Sequence, residues 1–118
     1  MSNEEILTRQ RAAVLSCIMH GKDLANDHHW IATHTGLPER AVRNRIEELR
    51  NEGYLICNLQ NGKGYFLAEN DEDVKTQYRQ DCARAMSILR RIKPFRKYLK
   101  SLEDDENQIN FMDILEEE

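Results

Sequence analysis

The sequence predicts an α+β fold, mainly α: three helices, then a β-hairpin, then a long C-terminal helical extension. Three observations carry this. Val42, Ile46 and Leu49 are spaced 4 and 3, one face of a helix, and a looser stripe of the same period precedes them. Asn61-Gly62 lies between two short β-prone runs, a strong hairpin signal because both residues tolerate positive φ. Val74, Tyr78, Cys82, Ala85, Leu89 and Ile92 then follow at spacings of 4, 4, 3, 4 and 3, a seam of the kind that pairs helices.

The first helix is expected over residues 3 to 20, with Leu7, Val14, Leu15, Ile18 and Met19 mostly on one stripe. Ser2 and Glu5 have capping-box spacing, Thr8 is a second candidate N-cap, and Gly21 is a natural stop. The polar stretch that follows reads as a loop. Asp27 then caps a short second helix, His28 to Thr35, which Gly36 ends. Pro38 suits the first turn of a third helix, where its missing N–H is not needed, and Gly53 closes that helix after about Asn51. Strands are expected at Tyr54–Leu59 and Tyr65–Ala68, with Gly64 lengthening the loop between them. Asp71 opens the long helical segment. Pro94 is expected to kink or break it, because its ring clashes with the preceding turn.

Net charge is −4, yet the charge is unevenly placed. Eight acidic residues and no basic one lie from Glu103 onward, which leaves 17 basic against 13 acidic in residues 1 to 102. Within that body, Ala83 to Lys100 holds seven basic residues and no acidic one. A mildly basic body with an acidic tail keeps nucleic acid open as a partner, where the pI alone argues against it. No apolar run approaches the roughly 20 residues that span a bilayer. The N-terminal MSNEEILTRQ is acidic then polar, unlike a secretory signal. Cys17, Cys57 and Cys82 are odd in number, far apart and set in apolar patterns, which fits buried free thiols and a cytoplasmic location.

Three helices followed by a Gly-tipped hairpin is the element order of a winged helix-turn-helix. Ile31-Ala32, Gly36-Leu37, Val42, Ile46, Leu49, Gly53 and Tyr54-Leu55 fall where that superfamily places its core residues. The stretch Gly62-Lys63-Gly64-Tyr65 resembles the wing of the N-terminal DNA-binding domain of biotin repressor/ligases. The resemblance covers residues 9 to 69 and implies a fold and a mode of DNA binding. The ligase's catalytic domain is not expected in these 118 residues, so biotin chemistry does not carry over. The chain departs from the pattern at Pro38 in the turn and at Thr35, which stands where an aliphatic residue is usual. The basic helix and acidic tail also resemble small winged-helix proteins of bacteriophages and prophages. The domains expected are 3–69, the winged-helix DNA-binding domain; 71–102, a helical extension suited to dimerisation; and 103–118, an acidic tail whose composition predicts flexibility.

With Val42, Ile46 and Leu49 inward, Arg40, Arg43, Asn44 and Glu47 share the outward face of the third helix. In a helix-turn-helix the N-terminal part of the recognition helix enters the major groove. Arg40, Arg43 and Asn44 lie in that part, and arginine suits guanine O6/N7 as asparagine suits adenine N6/N7. Arg45 is off this face and is expected to pair with Glu48 or Glu52. Glu39, at the helix start, favours the dipole but would approach phosphate. The competing reading is a solvated face laced with pairs such as Arg43–Glu47. Lys63 is the candidate wing-tip contact. Arg90, Arg91 and Lys93, within a run that also holds Arg84, Arg96, Lys97 and Lys100, are candidate phosphate contacts with salt-dependent affinity. The C-terminal seam predicts a homodimer, which would supply two half-sites.

His20, His28, His29 and His34 are not accompanied by Cys-x-x-Cys, so no metal or other cofactor is expected; His28, His29 and Trp30 read as a polar helix entrance. No nucleophile, phosphate loop or carboxylate pair with catalytic context is visible, so no enzyme activity is expected. Gln108, Ile109, Phe111 and Met112 look like a degenerate sliding-clamp-binding peptide, with a short amphipathic helix as the plainer reading. The function expected is sequence-specific binding of duplex DNA by a phage- or prophage-type transcriptional regulator. The alternative is an interaction adaptor in phage replication or recombination, with the tail binding a partner such as a sliding clamp.

Overall fold

The computed structural model describes residues 1–58 and 64–102. It is mainly helical, with a small antiparallel hairpin: α1 (Asn3–Ser16), a 3₁₀ turn (Lys22–Leu24), α2 (His28–Thr35), α3 (Glu39–Asn51), β1 (Ile56–Asn58), β2 (Tyr65–Leu67) and α4 (Asp71–Ser101). It divides into two compact units, Met1–Gln80 and a second from Asp81 onward.

The core of the first unit is Val14, Ile18, Ile31, Val42, Ile46, Leu49 and Ile56, contributed by the three helices, by Ile18 just beyond α1, and by β1. Leu15, Cys17, Ala32, Leu37, Tyr65 and Leu67 pack around it. Truncating a fully enclosed member such as Ile46 would cost about 2–5 kcal/mol, because lost burial and a cavity add. α1 starts at Ser2, whose hydroxyl accepts from the Glu5 amide at 3.2 Å, as the capping spacing predicts. Thr8 is no cap; its hydroxyl donates back to the Glu4 carbonyl. α2 starts at Asp27, which accepts from the Trp30 amide at 2.7 Å, and ends at Gly36, left-handed with φ 74°. Pro38 is the residue just before α3. Thr35, the unusual residue of the turn, donates to the Ile31 carbonyl and accepts from the Leu37 amide, so its hydroxyl ties α2 to the turn.

Four expectations are corrected. First, α1 ends at Ser16 and not at residue 20. The Met19 carbonyl accepts from the Leu67 amide and the Gly21 amide donates to the Leu67 carbonyl, so β2 captures this segment's backbone before the helix can. Met19 is accordingly exposed. Further on, Asn26 and Tyr65 exchange backbone hydrogen bonds of 3.1 and 2.8 Å, so the polar loop covers the outer edge of β2. Gly64 is needed there: its φ is 105°, and a Cβ would sit 2.6 Å from the Asp27 amide nitrogen and closer still to the Asn26 carbonyl carbon. Second, β1 begins at Ile56 and not at Tyr54, and β2 ends at Leu67 and not at Ala68, in the register Ile56 to Leu67, Cys57 to Phe66 and Asn58 to Tyr65. Tyr54 is drawn into the end of α3, its amide donating to Leu49.

Third, Pro94 does not break α4, which continues through it as one helix. The proline removes one helical donor, that for the Arg90 carbonyl, on an exposed stretch where water can replace it. Fourth, only Cys57 is buried; Cys17 is half-buried and Cys82 exposed. Within the first unit, the start of α4 completes the hairpin. The Gln77 side chain accepts from the Asn58 amide at 2.8 Å, and the Gln80 side chain donates to the Asn58 carbonyl at 2.9 Å. Two glutamines three residues apart thus satisfy the groups a neighbouring strand would. In the second unit none of the described residues of α4 is buried, and Met86, Ile88, Phe95 and Leu99 are exposed while Leu89 and Ile92 are half-buried. The expected acidic tail, residues 103–118, lies outside the described residues.

Candidate nucleic-acid interface

α3 fixes the interface because its inward face is closed: Val42, Ile46 and Leu49 are all buried. At about 100° per residue, this turns Arg40, Asn44 and Glu47 to solvent, with Arg43 on the flank towards α2. All four are exposed.

The other two arginines of the helix are held inside. Arg45 donates to the Gln10 side chain of α1 at 2.8 Å and to Glu48 at 2.7 Å. Arg11 of α1 reaches the other oxygen of Glu48 at 2.8 Å and lies 3.4 Å from Glu52. Glu48 is thus clamped between two guanidinium groups and joins α1 to α3. Burial works to raise its carboxyl, but the hydrogen bonds from Arg11 and Arg45 outweigh that and hold it below the ordinary glutamate value. The same bond raises the Arg11 guanidinium. The Arg45 Nε is buried with no hydrogen-bond partner, so the Glu48 contact is its main compensation. Arg50 turns the other way. Its Nε donates to the Ile56 carbonyl and one terminal nitrogen to the Asn58 side chain, both at 3.0 Å. The other terminal nitrogen pairs with Glu47, and the group lies 5.9 Å from the Tyr65 ring centroid. The expected pairing of Arg45 with Glu48 is present. The pair Arg43–Glu47 is not formed, because Glu47 goes to Arg50 and Arg43 meets His28.

Glu39 has partners that the sequence reading did not assign to it. Its carboxylate lies 3.1 Å from His28 Nε2 and 3.5 Å from His29 Nδ1. The same His28 Nε2 is 3.0 Å from an Arg43 nitrogen. His28 was legible only as a polar helix entrance; its contact with α3 spans a turn whose path the sequence does not specify. Trp30 is exposed and stacks on His34, with ring centroids 3.6 Å apart. Among the described residues no group of three or more His, Cys, Asp or Glu is placed to hold a metal ion, and no helix is long and apolar enough to cross a membrane.

On α4, Arg90 and Arg91 are exposed. Lys93 joins Arg96, Lys97 and Lys100 at positions i, i+3, i+4 and i+7, and these four line an open cavity of about 310 Å³. Arg84 lies 3.9 Å from Asp81. Lys63, and the tail residues Gln108, Ile109, Phe111 and Met112, lie outside the described residues.

The chain matches no protein-family model, and neither a curated protein nor a solved structure matches it.

Proposed function

We propose that the chain is a winged-helix protein that binds duplex DNA, with α3 as the recognition helix and the β1–β2 hairpin as the wing. The element order, three helices then a hairpin around one core, supports the fold reading. One observation carries the functional reading. α3 keeps Arg45 and Arg50 inside its own framework, so its outward cations Arg40 and Arg43, together with Asn44, are concentrated at the end that a helix-turn-helix presents to the major groove. Lys63 of the wing and the basic residues of α4, including Arg90, Arg91 and Lys93, add phosphate contacts. The exposed apolar residues of α4 beyond Asp81 form the face of a homodimer. By its resemblance to small phage and prophage proteins, the activity is regulation of transcription.

The test is a salt titration of binding to random duplex. A steep salt slope is expected, and it should fall in the Arg40→Ala/Arg43→Ala/Lys63→Ala variant. Absence of binding at low salt overturns the reading and leaves the interaction-adaptor alternative.

A further inference from the structure

We infer that His28 is a positioning residue for the α3 surface, and that its protonation state decides whether Arg43 or Glu39 is held. This rests on the DNA-binding reading for its consequence but not for its geometry. His28 Nε2 lies 3.0 Å from an Arg43 nitrogen and 3.1 Å from a Glu39 oxygen. One ring nitrogen serves one of these at a time. Without a proton it accepts from Arg43, which has only donors. With a proton, as always in the cation, it donates to the carboxylate and has nothing to offer a guanidinium. The charged and titratable groups around it are Asp27 and His29 on its own segment and Glu39 and Arg43 on α3. Asp27 is engaged with the Trp30 amide, and His29 lies 3.5 Å from the same Glu39 oxygen.

The consequence follows from charge. Neutral His28 with its proton on Nδ1 tethers Arg43 against α2 and leaves Glu39 a charge that repels phosphate. Protonated His28 neutralises Glu39, repels Arg43 and frees it to reach outward. The entering end of α3 becomes more positive when His28 carries its second proton. Glu39, the residue that fits a DNA surface worst, thereby acquires a role: it is the alternative partner that lets His28 release the arginine.

Two measurements on the full chain test this. In the free protein, the His28 imidazole is titrated by NMR. Glu39→Gln should move its midpoint down and Arg43→Ala should move it up. If neither moves it, the inference is overturned whatever the DNA result. In the second, binding of a random duplex is measured from pH 8 to pH 5.5 at fixed ionic strength. Wild type should tighten by about twofold to fivefold more than His28→Gln, the size of one exposed charge contact. The glutamine amide carries a donor and an acceptor together, so it holds both partners at every pH. It also leaves His20, His29 and His34 in place as the common background. Identical pH profiles for the two proteins overturn the inference; no binding by either overturns the DNA reading and leaves the NMR result to decide the His28 geometry.

Discussion

In α3, four arginines share 13 residues with three glutamates. In α4 beyond Ala83, seven cations share 18 residues with no carboxylate at all. The first arrangement is used to build. Arg45 and Arg50 reach from α3 to α1 and to the hairpin, and their carboxylates are shared with those contacts. In the second, cations beyond Arg84 have no described acidic partner, and four of them line one open cavity. Charge counted along a sequence therefore misstates charge available at a surface. α3 sums to little, yet its outward cations are grouped at one end. α4 sums to a great deal, and four of its cations, Lys93, Arg96, Lys97 and Lys100, share one stripe.

Among the charged side chains, the largest effect on stability is expected at Arg50, where the comparison is sharpest. Arg50→Ala removes donors to the Ile56 carbonyl and the Asn58 side chain in a part-buried setting. Hydrogen bonds from charged groups are worth about 1.5–3 kcal/mol, so denaturant unfolding should show a loss of about 2–3 kcal/mol. Arg96→Ala, an equal change in charge on α4, should leave the midpoint almost where it was. Equal losses would show that both helices use their cations structurally, and the distinction would collapse.

Next come the two outward arginines at the N-terminal end of α3. Arg40→Ala and Arg43→Ala should each weaken specific DNA binding by about 1–3 kcal/mol without a matching loss of stability. Equilibrium binding and unfolding are to be measured on the same samples. A variant that loses stability in step with affinity would place its arginine with Arg45 and Arg50.

Much of the fold was open to sequence reasoning because its signals are local. Asp27 and Gly36 bracket α2, and the spacing of Val42, Ile46 and Leu49 fixes which way α3 faces. The same spacing identified Arg40, Arg43, Asn44 and Glu47 as outward residues, all exposed. What was missed depends on partners distant in sequence. α1 stops at Ser16 because Leu67 competes for the backbone of Met19 and Gly21, a contact 48 residues away that no local pattern encodes. Gly64 appeared as a loop glycine, and its actual demand is close approach to Asn26. At the candidate site the types of residue were visible but not their pairing. His28 and Glu39 meet across a turn, and Arg11 meets Glu48 across two helices. In α4 the apolar spacing was real, but spacing alone does not name the surface it meets.

Glu48 gives a smaller, pH-dependent effect. Its folded carboxyl titrates below the ordinary glutamate value of 4.5 because of Arg11 and Arg45, against the opposing effect of burial. A depressed carboxyl contributes stability that is fully present above the unfolded value and is lost as pH falls through the folded one. Glu48→Ala should therefore cost about 1 kcal/mol at pH 7, in the range of a partly screened ion pair. The gap between its thermal midpoint and that of wild type should close as pH drops below 4.5. A gap independent of pH would mean that Glu48 acts by packing and not by charge.

The smallest effect tests the α4 side of the comparison with a single residue. Lys97 is exposed on the basic stripe and has no described acidic partner. Lys97→Ala should alter stability by no more than about 0.5 kcal/mol, as surface changes away from structural contacts do. If the stripe contacts phosphate, the same change weakens binding to all duplexes alike and lowers the slope of log affinity against log salt by about one. If α3 is the recognition helix, Arg40→Ala should instead discriminate among sequences, because its partner would then be a base edge and not a phosphate. A Lys97→Ala protein with an unchanged salt slope would remove the stripe from the interface and confine DNA contact in the described residues to α3. A slope that falls for Lys97 while sequence preference stays fixed would divide the labour between the two helices: α4 holds the backbone, and the entering end of α3 reads the bases.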